Sequence, residues 1–495
     1  MSRHLDHQET RRPTLLAGQS ALAFAQVGNL ALGVLAAGTL ARGLSAADFA
    51  ALTVVGSVLA VLAALVDGGF GAVLIARAAR GPDRLVELVA RFRVVLAAVA
   101  TLGAALWFAT SGGATVDRTG ALAAGLVCLS ILSLPLRTAQ IRIAAAGLFG
   151  RTALVGFLSQ AVFAAASIWI YRSGGGAGEA VAALALREFL LSIGSFVVAK
   201  TARLGSLESA ERPGRPADLL VTRALMMQLA HPVLIAATGA CYFHVDVFML
   251  RRLADDQEVS EWGLALRFAQ PLFALINGIA LPLVPRFARL DAVKGVHSAD
   301  RRIAAFLAVL GFAAPATLLA VDARGWIALV AGEAAARSGE PFLWLVLGVL
   351  PVAIGAAAAH VLIAEGRYAD WWRITLLALV VNVLLDLALI PDHGALGAAW
   401  ATLAVETLVA IAAVRAALRH AGTWRNGPAL AGLLAALLPS AAGATLLLCL
   451  RFPGRSGLVI ALTVMAGAWL ATVFGPFGRA ARRALDGTPE KETRC

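Results

Sequence analysis

Apolar runs of about 20 residues or more recur along almost the whole chain, and each is long enough to cross ~30 Å of hydrocarbon as a helix. Ala, Leu, Val and Gly dominate them, so they are apolar on every side and lack the alternation of a barrel strand. With 60% hydrophobic and only 15% charged residues in 495, a soluble fold of this size would be short of polar surface to cover its core. The expectation is an all-α polytopic membrane protein.

The runs place about fourteen spans, at 14–40, 49–75, 88–110, 119–146, 152–171, 178–199, 219–249, 258–285, 301–322, 341–364, 371–390, 395–418, 428–450 and 456–477. Basic residues test the count, because short cytoplasmic loops are enriched in Lys and Arg. With the N-terminus inside, the inner loops, the termini and the inner ends of the adjoining spans hold 31 of the 42 Lys and Arg, from Arg3 through Arg91 and Arg93 to Arg494, against 9 on the outer side. Both termini are therefore expected in the cytoplasm. The first run is too long for the apolar core of a signal peptide, so it reads as a retained helix.

The net charge of +12 does not point to nucleic acid, because the basic residues are dispersed between apolar runs. Cys128, Cys241, Cys449 and Cys495 have no metal-ligand spacing, which implies neither a disulfide nor a metal. There is no GxSxG, HExxH or P-loop, and no loop large enough for a catalytic module. No enzyme activity and no cofactor is expected. A membrane-embedded glycosyltransferase or ligase would need a sizeable outer loop with catalytic acids or His, and the longest outer loop, about 322–340, is short.

The longest polar linker, 200–218, follows the sixth span and suggests two six-helix lobes. The domain reading is a cytoplasmic N-terminal segment at 1–13, an N-lobe at 14–199, the cytoplasmic linker at 200–218 and a C-lobe at 219–418. Spans 13 and 14 follow at 428–477, with a cytoplasmic tail at 478–495. An internal echo agrees with it: span one exits through Leu40-Ala41-Arg42, and span seven through Leu250-Arg251-Arg252. The following spans carry Asp67-Gly68-Gly69 and Asn277-Gly278-Ile279. Halves of equal orientation would be related by an axis along the membrane normal.

Three stretches carry a family resemblance. The first is Leu40-Ala-Arg-Gly-Leu-Ser-Ala-Ala-Asp-Phe49 with Val66-Asp67-Gly68-Gly69. The second is Tyr242-Phe-His-Val-Asp246-Val-Phe-Met-Leu250, followed by Gly263 and Pro282 to Arg286. The third runs from Ala364-Glu-Gly-Arg367 through Asn382, Asp386 and Ile390-Pro391 to Gly394-Ala-Leu-Gly397. In order and spacing they resemble the O-antigen and polysaccharide flippases (Wzx type) of the multidrug/oligosaccharidyl-lipid/polysaccharide exporter superfamily. Asp386 stands where that family commonly has Asn, His244 where it has Arg, and Ala265 where it has Tyr. The resemblance implies a V of two lobes and alternating access. It also implies transport of a polyprenyl-diphosphate-linked oligosaccharide, with membrane lipids, a polysaccharide polymerase and chain-length proteins as partners. A cation-coupled multidrug exporter of the same superfamily is the alternative.

Charged residues within spans are expensive and usually face the bundle interior or a wet cavity. Arg267, with Gln270 and Asn277 on a similar face, is either a cavity donor to phosphate oxygens or half of an ion pair. Arg187 and Glu188 are adjacent and expected to diverge, leaving Arg187 for the cavity or for a carboxylate such as Asp67. Gln26 and Asn29 share a face of span one, for helix contacts or the cavity. Asp67 reads as a helix terminus, or else as a gating or ion-coupling residue. His244 and Asp246 lie on different faces; a gate contact with the opposite lobe or an interfacial anchor is expected. Asn382 and Asp386 share a face that Glu406 could approach, giving either a proton or Na⁺ site or plain packing of spans eleven and twelve. His231 and His360 read as core residues, and Trp371 and Trp372 as interfacial anchors.

Overall fold

A computed structural model describes residues 15–69, 84–111, 118–145, 148–202, 217–280, 319 and 322–418. The N-terminal segment, most of the linker, spans nine, thirteen and fourteen and the tail lie outside the described residues. Among those residues there is no strand, and eight helices are long and apolar enough to cross a membrane. The polytopic all-α class holds.

The elements are α1 (Leu15–Gly43), α2 (Ala46–Asp67), α3 (Arg84–Ser111), α4 (Arg118–Ser133), α5 (Thr138–Ala145), α6 (Phe149–Ser173) and α7 (Ala177–Thr201). Then come α8 (Ala217–Leu253), α9 (Asp256–Ala280), α10 (Ala323–Ala331), α11 (Gly339–Ala364) and α12 (Tyr368–Leu418). Short 3-10 turns, Leu134–Arg137 and Glu333–Ser338, join α4 to α5 and α10 to α11. The chain divides into two compact units, Met1–Ala237 and Thr238–Cys495, so the division falls inside α8.

In the first unit α1 packs along α6, and α7 packs on both α4 and α6. Small residues allow this closeness: a Cβ on Gly28 would stand 2.9 Å from the Phe157 ring, and one on Gly43 3.0 Å from Tyr171. α2 stops at Asp67, short of the expected end at 75. Gly68 (φ 62°) caps it and donates its N–H to Ala64 O at 2.9 Å, and Gly69 (φ 65°) follows. Two successive left-handed residues end a helix however apolar the sequence beyond them.

In the second unit α11 packs along α12, and α9 packs on both. α12 spans expected spans eleven and twelve, broken at Gly394 (φ 52°, ψ −132°) into two arms. Thr402 and Asn382, on opposite sides of the break, both bond Asp246. An unbroken helix would hold them about 30 Å apart, so the chain reverses at Gly394. A Cβ on Gly397 would lie 2.5 Å from Leu389 O, and Ala398 and Ala399 are fully buried, so the arms meet through small residues. The expected outer loop at 322–340 is mostly helical, as α10 and its 3-10 turn. Trp371, partly buried, packs with Tyr242 and Ile374 on the buried cluster Ala378, Val405 and Val409.

Candidate functional site

Polar side chains on α8 are spaced by one helical turn, and each meets α12. Thr238 and Thr375 hydroxyls lie 3.1 Å apart. Tyr242 donates its hydroxyl to Glu406 Oε1 at 2.6 Å. Asp246 accepts at one oxygen from Asn382 Nδ2 and at the other from the Thr402 hydroxyl, the latter at 3.1 Å. The i, i+4 pairs 242/246, 382/386 and 402/406 thus stack on facing helix surfaces.

Asp386 lies beside Asp246 and is fully buried, with Asp246 4%, Asn382 1% and Glu406 9% exposed. Both Asp386 carboxylate oxygens and Asn382 Oδ1 are buried acceptors without a hydrogen-bond donor. Two carboxylates side by side in a low-dielectric interior need a positive counter-charge. A proton or a bare cation supplies it, and the orphaned oxygens fit a cation. Among the described residues no group of three or more His, Cys, Asp or Glu is arranged to hold a metal ion. The oxygens of two carboxylates, an amide and a hydroxyl suit a hard monovalent cation instead. His244 does not join: its Nδ1 is buried without a partner, and its ring lies edge-on to Phe243.

The bonds of Asp246 to Asn382 and Thr402 lie inside its own unit. Tyr242 and Thr402 carry no signal in the sequence, because neither is charged and each acts only through a partner far along the chain.

The first unit holds a second polar network. Arg93, counted above with the loop charges, is 1% exposed within α3. Its Nη2 donates to Asp67 O at 2.8 Å and Oδ1 at 2.5 Å, and its Nη1 to the Thr138 hydroxyl at 3.0 Å. Asp67 thus pairs with Arg93 and not with Arg187, which offsets a carboxylate placed unfavourably at a helix C-terminus. One residue before Thr138, Arg137 crosses to α7, donating to Glu188 Oε2 at 2.5 Å and to the Ser192 hydroxyl at 3.0 Å. Arg187 pairs with the other Glu188 oxygen at 3.1 Å. The expectation that neighbours on a helix cannot neutralise each other fails, because long side chains bend back over the turn. Two guanidinium groups share one carboxylate, which leaves an excess positive charge there.

Arg267 and Gln270 sit one turn apart on α9, each partly buried. Asn29 is partly buried on α1, and the side chains of Gln26 and Asn277 lie outside the described residues. His360 hydrogen-bonds the Ala356 carbonyl of its own helix at 2.5 Å, as a core histidine does.

No family model matches the sequence, and no curated protein matches it significantly. Solved structures do resemble the fold. Lipid II flippase MurJ, in an inward closed conformation, superposes with a TM-score of 0.67 at 13% identity, over 93% of this chain and 98% of its own. The Vibrio cholerae MATE transporter VcmN, in a mutant form, gives 0.53 at 13%, over 82% of this chain and 95% of that one. A MOP superfamily transporter from Pyrococcus furiosus gives 0.51 at 15%, over 81% and 95%. The chain has the fold of these membrane transporters.

Proposed function

We propose that this protein is a transporter that flips a polyprenyl-diphosphate-linked oligosaccharide, such as an O-antigen, exopolysaccharide or capsule repeat unit, across a bacterial inner membrane. The likeness to a lipid II flippase along 93% of the chain carries the reading. The positive excess at Arg137, Arg187 and Glu188 favours an anionic cargo, since guanidinium groups fork onto phosphate oxygens. Arg267, with Gln270 and Asn277, and Gln26 and Asn29 are the other candidates to line the path. The two lobes rock about the headgroup while the lipid tail stays in the bilayer.

The Asp246, Asn382, Asp386 and Thr402 oxygens hold a monovalent cation whose binding drives the cycle. A cation binds in one step what two facing carboxylates otherwise repel, so it joins α8 to both arms of α12. Relaxation of that union when the cation leaves is the conformational bias that alternating access needs.

The likeness to a solved multidrug resistance MATE family transporter favours a second reading, a cation-coupled multidrug exporter of the same fold. The two are separated in proteoliposomes containing the purified protein, a sodium gradient and either a fluorescent polyprenyl-diphosphate sugar or a cationic dye. Sodium-dependent accessibility of the sugar lipid in the opposite leaflet supports the flippase. Dye movement without lipid movement rejects it.

A further inference from the structure

The oxygen cluster of the second unit borders a cavity of about 20 Å³, lined by Tyr242, Asp246, Trp262, Thr402, Glu406 and a few apolar side chains. Trp262 is 1% exposed, and its Nε1–H has no hydrogen-bond partner among the described residues. An indole N–H can only donate, and the carboxylate oxygens of the residues on the same wall can accept. A water does both. The cavity exceeds the roughly 10–15 Å³ that one water requires, and it offers several polar partners where a dry cavity would have none.

α9 aims the indole. Trp262 and Leu266 lie one turn apart on its cavity face, and Glu258, one turn before Trp262, accepts the Ala395 N–H of the second α12 arm at 2.6 Å. Trp262 is thereby registered against the arm that carries Thr402 and Glu406.

Resting on the cation site proposed above, we propose that Trp262 holds a water that completes the oxygen shell of the bound cation, with Glu406, fixed by Tyr242, as the water's second partner. Trp262 is then a positioning residue: it touches the water, and the water touches the ion. The site takes up its cation with one water retained, and the rest of the hydration shell is replaced by Asp246, Asp386, Asn382 and Thr402.

The test is calorimetric titration of sodium chloride into the full-length protein in lipid nanodiscs, with choline chloride holding ionic strength constant. Trp262→Phe keeps the ring contacts and removes the donor; Glu406→Gln keeps the shape and removes the charge. Each weakens sodium binding by about three- to tenfold, the worth of one net hydrogen bond. A structural tryptophan would instead lower the melting temperature equally in sodium and choline and leave the affinity of the folded protein unchanged. If Trp262→Phe does not fold, the Glu406→Gln titration alone decides. Sodium affinity within twofold of wild type in the folded variants overturns this inference and leaves the cation site standing. No sodium binding by wild type overturns both.

Discussion

The Tyr242 hydroxyl donates to Glu406 at 2.6 Å, one helical turn from the point where Asp246 meets Thr402. The bond joins α8 to the second arm of α12, with Glu406 buried and Tyr242 half-buried. Tyr242→Phe leaves a buried acceptor unpaired, which costs about 1–3 kcal/mol. Removing both polar ends, as Tyr242→Phe with Glu406→Leu, costs less than the two single changes together. A double-mutant cycle on thermal unfolding reads the difference as a coupling of roughly 0.5–3 kcal/mol. Additivity within error would mean that the pair does not act as one unit.

Sodium should stabilise the folded protein. A ligand that binds only the native state at one hundred times its dissociation constant contributes about 2.7 kcal/mol. The melting temperature of wild type is expected to rise with sodium chloride against choline chloride at equal ionic strength. Asp246→Asn and Asp386→Asn are each expected to abolish the rise, because each removes a charged oxygen ligand. A rise that survives in both variants would place the cation elsewhere.

Part of this site was legible in the sequence, and the limits are physical. Asn382 and Asp386 lie on one helix, so their shared face follows from helical spacing alone. The reversal at Gly394 was visible too, in Pro391-Asp392-His393-Gly394. Asp246 is 136 residues from Asn382, and only tertiary packing joins them. Arg93 was hidden by the loop-charge rule itself, since it lies near Arg84 and Arg91 and reads as one more loop charge. The end of α2 was half legible: Asp67 reads as a helix terminus, but Phe70 to Ile75 is as apolar as the helix before it, and hydropathy, which does not register the two positive φ angles, carries the span on to 75.

Arg93, in the first unit, predicts a large stability effect of its own. Arg93→Met removes the buried donor that holds Asp67 and Thr138 together. Breaking a buried pair costs about 3–5 kcal/mol, and the lower end applies here because Asp67 is 54% exposed and water can reach it. Adding Asp67→Asn should recover part of the loss. The measurement is unfolding of the single and double variants; no recovery would mean that the carboxylate is satisfied without Arg93.

Arg137 and Arg187 should separate by readout. Arg137 bonds both Glu188 and Ser192, so Arg137→Ala removes these bonds, leaves Glu188 with Arg187 alone, and lowers stability by about 1–3 kcal/mol. Arg187 is 29% exposed and duplicates a partner that Glu188 already has. Arg187→Ala should change stability by less than about 1 kcal/mol, as a partly exposed pair does. If its charge serves the anionic headgroup, the same variant slows flipping of a diphosphate-linked lipid at least several-fold. Unaltered flipping would remove Arg187 from the path and leave it a structural cation.

Gly394 tests whether the turn between the α12 arms matters to the cation. Its φ of 52° with ψ of −132° is closed to most side chains, and a Cβ there would run into the Glu258 carboxylate. Gly394→Ala therefore strains the backbone, by about 1–3 kcal/mol, and displaces the carboxylate that caps the second arm. Glu258→Gln keeps the turn and weakens the cap, at about 1 kcal/mol or less. Both variants shift the arm that carries Thr402 and Glu406 relative to Asp246. The expected result is weaker sodium binding in both, graded with the strain, Gly394→Ala being the more severe. Loss of stability in Gly394→Ala with sodium affinity intact in both would show that the turn only connects the arms and does not set the register of the site.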